Sequence, residues 1–185
     1  MKLWLVRHAP VDAPPGLCYG RTDLPAQAEP TRHAAQTIAA QLPSGIALRS
    51  SPLQRCRTMA EAVAALRPDL AAPTVDDRLA EIDFGDWEGR RWDDIARADI
   101  DAWTADFVDA HAGRCGESTR QFMGRVGAAW DDCRAAQQPQ VWFTHAGVIR
   151  ALQLLQRGVR IPQSAADWPA AVVPHGEARV VDLST

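Results

Sequence analysis

Residues 140–144, "QVWFT", form a short apolar run that passes through His145 straight into "GVIRALQLLQR", where apolar residues recur at helical spacing. A strand that feeds a helix with almost no loop between them leaves few architectures open. The helix must cover a face of the sheet, and the chain must return on the same heading, as in the βα units of a parallel sheet. The pattern recurs. Residues 2–6 read as a buried strand, and "IALRS" at 46–50 reads as another, followed at once by the helix of "SPLQRCRTMAEAVAAL". Ser51 is expected to cap that helix, with Pro52 in its first position and Gln54 completing a capping box. Leu53, Met59, Ala60, Val63 and Leu66 are expected on its inner face. A second start of this kind is "STRQFMGRVGAAW", with Ser118 as cap, Gln121 closing the box, and Phe122, Val126, Ala129, Trp130 and Cys133 as the buried stripe. A further helix is expected from about Thr31, and a last strand in "EARVVDL" at 177–183. Residues 10–30 hold five prolines and read as an ordered loop, while residues 92–115 read as helical on weak signals. The expected class is α/β: a three-layer α/β/α arrangement around a mostly parallel sheet, in a single domain over 1–185.

Composition narrows the function. A net charge of −3 gives no basic field for nucleic acid. No apolar run approaches the ~18 residues of a membrane span, and the run before Arg7 is too short for a secretory leader, so a cytoplasmic protein is expected. The four cysteines, at 18, 56, 115 and 133, lack metal-binding spacing and suit reduced thiols. Lys2 is the only lysine among the 20 basic residues, so a Walker-type phosphate loop is ruled out. Arginine, the remaining cation, grips phosphate through a planar fork.

Three strands end in comparable chemistry. The first ends in Arg7-His8. The second leads to Arg55, in the first turn of its helix. The strand at 140–144 ends in His145, just before a helix N-terminus, where free amides and a partial positive charge favour anions. Ligands of open α/β sheets bind beyond the carboxyl ends of the strands. Taken singly, Arg55 is an ordinary solvated arginine and His145 an ordinary structural histidine. Their common placement at strand ends asks for a phosphate.

The motifs "LVRHAP", "GRTD", "SSPLQRCRTMAEA", "EIDFGDWEG", "GES" and "FTHAGVIRAL" follow one another as in the histidine phosphatase superfamily, also called phosphoglycerate mutase-like, which this sequence resembles over about residues 3 to 155. "CYGRTDLP", "DFGDWEG" and "THAGVIRAL" resemble its α-ribazole-5′-phosphate phosphatase branch. The resemblance implies a phosphoglycerate mutase-like fold and a phosphoric monoester hydrolase that needs no metal and no cofactor. His8 would be the nucleophile, and Arg7, Arg55 and His145 would bind the phosphoryl oxygens. Glu81 would protonate the leaving alcohol and then activate water, with its pKa raised by burial and the nearby anion. Thr22 and Ala146 would add substrate contacts. A protonated His145 and the arginines would together supply the charge that Mg²⁺ supplies elsewhere. The implied partner is a small phosphorylated metabolite, best matched by α-ribazole-5′-phosphate of cobalamin biosynthesis, with no nucleic acid and no membrane. Another sugar or nucleotide phosphate, a mutase reaction and an inactive phosphate-sensing module stay open, as does the oligomeric state, a dimer included. The sequence departs from the family pattern at Ala9, usually glycine, at Pro14, usually a phosphate-contacting asparagine, and at Pro30, usually glycine.

Overall fold

The computed structural model describes residues 1–183. Five strands, β1 (Lys2–Arg7), β2 (Ala47–Ser50), β3 (Thr74–Val75), β4 (Gln140–Thr144) and β5 (Ala178–Asp182), form one sheet in the order β3-β2-β4-β1-β5. All neighbouring pairs are parallel except β1 with β5. The α-helices among the described residues are α1 (Ala28–Gln41), α2 (Gln54–Leu66), α3 (Arg97–Ala105), α4 (Thr119–Ala136) and α5 (Ala146–Gln156), joined by short 3-10 turns.

Alternation along the strands separates two cores. Leu3, Leu5 and Trp142 face α4 and α5 on one side of the sheet. Val6, Leu48, Val141 and Phe143 face α1 and α2 on the other. Every residue of β4 is buried, as a central strand covered on both faces requires. Even there the polar atoms find partners: the indole N–H of Trp142 donates to Oε1 of Gln140 at 2.9 Å. The layered α/β fold expected from the alternating elements is the fold observed.

Ser118 caps α4 with the full capping box, and the stripe from Phe122 to Cys133 is buried. Ser51 does not cap α2. That helix begins at Gln54, and its cap is the distant Asp23, whose Oδ1 accepts the Gln54 N–H at 2.7 Å while its carbonyl accepts from Nε2 of Gln54 at 2.7 Å. A cap supplied across the fold leaves no local signature. Leu66 is 48 % exposed, because it falls in the last turn beyond the reach of the sheet. α1 starts at Ala28 rather than Thr31, which puts Pro30 in the first turn, where a missing N–H costs no helical bond. β3 has two residues, too few to show a period. Within 92–115 only α3 is an α-helix, and it turns only Ile100 and Trp103, both half-buried, toward a small core cluster, a short apolar face that signals weakly in the sequence. Among the described residues, no helix is long and apolar enough to cross a membrane.

Candidate active site

The register of the sheet brings the two histidines together. Arg7 of β1 lies opposite Thr144 of β4, so His8 and His145 leave the sheet side by side. The His8 N–H donates to the Thr144 carbonyl at 3.1 Å, and the two rings stand 5.2 Å apart between centroids. Nδ1 of His8 is 2.7 Å from the Ala9 carbonyl. A carbonyl only accepts, so Nδ1 carries the proton and Nε2 keeps its lone pair. His8 is 2 % exposed. Burial, and then the Arg55 guanidinium, push its pKa well below the ordinary imidazole value, so the ring is neutral at pH 7.

Arg55 is fully buried, yet its partners are carbonyls rather than a carboxylate: Nη1 donates to Thr22 and Nη2 to Gly20, both at 2.7 Å. Glu88 holds that loop in place. Its carboxylate accepts from the amides of Arg21 (2.8 Å), Thr22 (3.0 Å) and Phe84 (3.1 Å), and from the Thr22 hydroxyl. A Cβ on Gly20 would sit 2.0 Å from the Ile82 carbonyl, so only glycine lets the loop approach this closely. Arg7 donates from Nη1 to the Val173 carbonyl at 2.5 Å. The Nε atoms of Arg7 and Arg55 are buried without a protein acceptor. Unpaired buried guanidinium donors beside a neutral imidazole fit an anion as the missing partner.

His145 is the N-cap residue of α5 and is wholly buried, with Nε2 2.7 Å from Oγ of Ser51. Ser51 Oγ thus holds the histidine while also accepting the N–H of Leu53, just ahead of α2, at 3.3 Å. Burial and Arg55 also push the His145 pKa well below its ordinary value. This corrects the expectation of a protonated second histidine: the protein alone keeps His145 neutral, and only a bound anion would oppose that shift.

Glu81 comes from the irregular segment after β3. Its Oε2 accepts the Gly147 N–H at 3.0 Å, and its Oε1 accepts the Ile82 N–H at 3.1 Å. A Cβ on Gly147 would lie 2.1 Å from Oε1, so the start of α5 is shaped for this carboxylate. Arg125 fastens the segment by donating to the carbonyls of Arg78, Ala80 and Glu81, and it pairs with Glu117 at 2.7 Å. The "GES" motif therefore acts through Glu117, one contact removed from the site.

Arg7, His8, Tyr19, Arg55, Glu81, Phe84 and Trp92 line one pocket of about 170 Å³ with Leu17 and Gly20. Thr22 adjoins it through its carbonyl on Arg55, its hydroxyl being engaged by Glu88. Ala146 lines a neighbouring cavity instead. Among the described residues, no group of three or more His, Cys, Asp or Glu side chains is placed to hold a metal ion.

The sequence model of the histidine phosphatase superfamily (branch 1) matches residues 3–172. The chain belongs to that superfamily. Among solved structures, this superfamily member is similar to TTHB049 from Thermus thermophilus, at 33% identity and a TM-score of 0.74, over 100% of this chain and 95% of that one. A phosphoglycerate mutase from the same organism matches at 33% identity and a TM-score of 0.74, over 100% of this chain and 94% of that one. A candidate alpha-ribazole-5′-P phosphatase from Escherichia coli matches at 29% identity and a TM-score of 0.73, over 84% of this chain and 78% of that one. No curated protein matches significantly.

The superfamily motifs thus converge in this chain, with one neighbour that the sequence reading missed. His175 stands 5.4 Å from the His8 ring, Nε2 buried without a partner, its pKa lowered to about 4 by burial and Arg7. The amide of Gly176 anchors it by donating to the carbonyls of Arg7 (3.0 Å) and His8 (3.3 Å). "PHG" sits in an irregular loop before β5, where no periodicity sets it apart.

Proposed function

We propose that this superfamily member is a metal-independent phosphomonoesterase that works through a phosphohistidine on His8. The observation that carries this reading is the tautomer of His8: with Nδ1 donating to Ala9, the free Nε2 of a neutral imidazole faces a pocket shared with Arg7, Arg55 and Glu81. In the first step Nε2 attacks phosphorus, the ester P–O bond breaks, and the Glu81 carboxyl gives its proton to the leaving oxygen. In the second step the Glu81 carboxylate takes a proton from water, the hydroxide attacks phosphorus, and the P–N bond breaks. The arginines hold the equatorial oxygens, where phosphoryl transfer needs fixed positive charge.

The substrate we propose is α-ribazole-5′-phosphate, hydrolysed to α-ribazole as a step of cobalamin biosynthesis. Support comes from the name carried by the E. coli structure and from the aromatic wall of Phe84 and Trp92, which suits a flat base. Phosphohistidine survives alkali and is lost in acid, so an alkaline quench during turnover of labelled p-nitrophenyl phosphate should leave label on His8. Label on another residue, or steady turnover by His8→Ala, refutes the covalent step. A kcat/KM panel of α-ribazole-5′-phosphate, AMP, 3-phosphoglycerate and sugar phosphates tests the substrate; a better member than the first refutes that assignment alone.

A further inference from the structure

The His8 ring touches a histidine that the proposed mechanism leaves without a role. The hydrogen bond from Nδ1 to the Ala9 carbonyl fixes the tautomer of His8. It does not fix the plane of the ring, because the torsion between an sp³ carbon and a flat ring is broad and a single bond at one edge lets the ring rock. Attack in line with the leaving oxygen tolerates little of that motion: a displacement of about 1 Å can cost ~10²-fold in rate. Something must therefore pack on the ring itself. The His145 and His175 rings do so, with centroids 5.2 and 5.4 Å from that of His8 and planes tilted by 60° in both cases.

His175 is carried by the irregular segment 173–176, just ahead of β5. In four residues this segment reaches each part of the Arg7-His8 pair. The Val173 carbonyl accepts from Nη1 of Arg7, the Gly176 N–H donates to the carbonyls of Arg7 and His8, and the His175 ring meets the His8 ring. Both ends of the segment are fastened. Val173 is buried in the core that faces α4 and α5, and Ala178 pairs with Val6 in the ladder between β5 and β1. Burial, and then Arg7, lower the His175 pKa to about 4, so at pH 7 the segment presents a small, flat, neutral ring and not a third cation for the phosphate.

We propose that His175 is a positioning residue for phosphoryl transfer: its ring holds the His8 imidazole so that Nε2 stays aimed at phosphorus, while Val173 in the same segment holds Arg7 to the same group. The inference rests on the phosphatase reading, because it takes His8 for the nucleophile. Aim is needed twice, when Nε2 attacks phosphorus and when water displaces it, since phosphorus then rides on the ring. Binding of the anion is a separate matter. Arg7 and Arg55 are held by backbone carbonyls of Val173, Thr22 and Gly20, and those remain whatever side chain stands at 175. Loss of the His175 ring should therefore spare the ground state and damage the transition state.

The test compares the wild type with His175→Ala, which removes the ring, and His175→Phe, which restores a flat neutral one. Inorganic phosphate, held by the arginines alone, should bind all three proteins within about twofold by calorimetry. Vanadate takes the Nε2 lone pair into a fifth bond, so it reports the aim of His8. It should bind about 10²-fold more weakly to His175→Ala, with kcat on an alkyl phosphate falling in parallel and KM holding, and His175→Phe should recover most of both losses. Because Nε2 of His175 is buried without a partner, the melting temperature of His175→Ala should stay within a few degrees of the wild type. Unchanged vanadate binding, losses that His175→Phe does not recover, or phosphate and vanadate weakened equally as the melting temperature falls would overturn the positioning role. A wild type that hydrolyses no phosphate ester, with the split between vanadate and phosphate still present, overturns the phosphatase reading and leaves the hold on His8 standing.

Discussion

Acid should destabilise this protein at a pH where most folded proteins are indifferent, and the cause lies in the two buried histidines. His8 and His145 are held neutral, with pKa values well below that of a free imidazole. In the unfolded chain each returns to about 6.5. As pH falls through that value, the unfolded state takes up protons that the folded state refuses, so folding stability drops and continues to drop until the folded pKa is reached. Between pH 6.5 and 5.5 the loss from linkage is about 1 kcal/mol for each of the two, hence about 2 kcal/mol together, a substantial share of a typical total of 5–15 kcal/mol. His175, half exposed, adds in the same direction and is left out of that sum. The lowered aspartates, such as Asp76 held by Arg78 and Arg49, titrate at more acid pH and do not contribute in this window. The assay is urea unfolding at steps between pH 5.5 and 7 in a buffer without phosphate, for the wild type, His8→Asn and His145→Asn. Between pH 6.5 and 5.5 each substitution should remove about 0.7 proton from the slope of unfolding free energy against pH, and comparison with the wild type cancels every other titrating group. Parallel slopes in all three proteins would show that the histidines take up protons in the folded state, and the neutral nucleophile would fall with that result.

Three further substitutions probe the site. Glu81→Gln keeps the hydrogen bond from Gly147 but cannot transfer a proton; kcat should fall by about 10²-fold or more on an alkyl phosphate and much less on p-nitrophenyl phosphate, whose leaving group needs no acid. Equal losses on the two esters would reduce Glu81 to a wall of the pocket. Gly147→Ala puts a methyl group 2.1 Å from Glu81 Oε1, so the carboxylate must swing away. The same leaving-group dependence should appear while the melting temperature stays within a few degrees, and wild-type rates on alkyl esters would refute the positioning. Glu88→Gln weakens the hold on the 20–22 loop that supplies two carbonyls to Arg55, and with a charged acceptor lost the expected cost is roughly 1.5–3 kcal/mol of stability together with a raised KM. An unchanged KM for phosphate esters would detach the loop from anion binding.

Arg7, His8 and His145 were readable in the sequence because they sit where strands stop, whereas Glu81, in an irregular segment, was placed only by the family resemblance. Arg7-His8 ends β1 and His145 ends β4, and short strands rich in apolar residues announce their own ends. Periodicity also decided the layers, since β4 is buried throughout and α4 carries its stripe behind a complete capping box. Contacts made across the fold were beyond that reading. Ser51 looks like a helix cap and is the partner of His145, while the true cap of α2, Asp23, lies 31 residues earlier in the chain. His175 joins the site only because β5 turns back antiparallel along β1, which carries the loop before it over the carboxyl end of the sheet. The charge state of His145 was likewise decided in three dimensions. The sequence supplies an imidazole of ordinary pKa, and only burial beside Arg55 makes it neutral, because the work of desolvating a charge depends on everything packed around it and not on its neighbours in the chain.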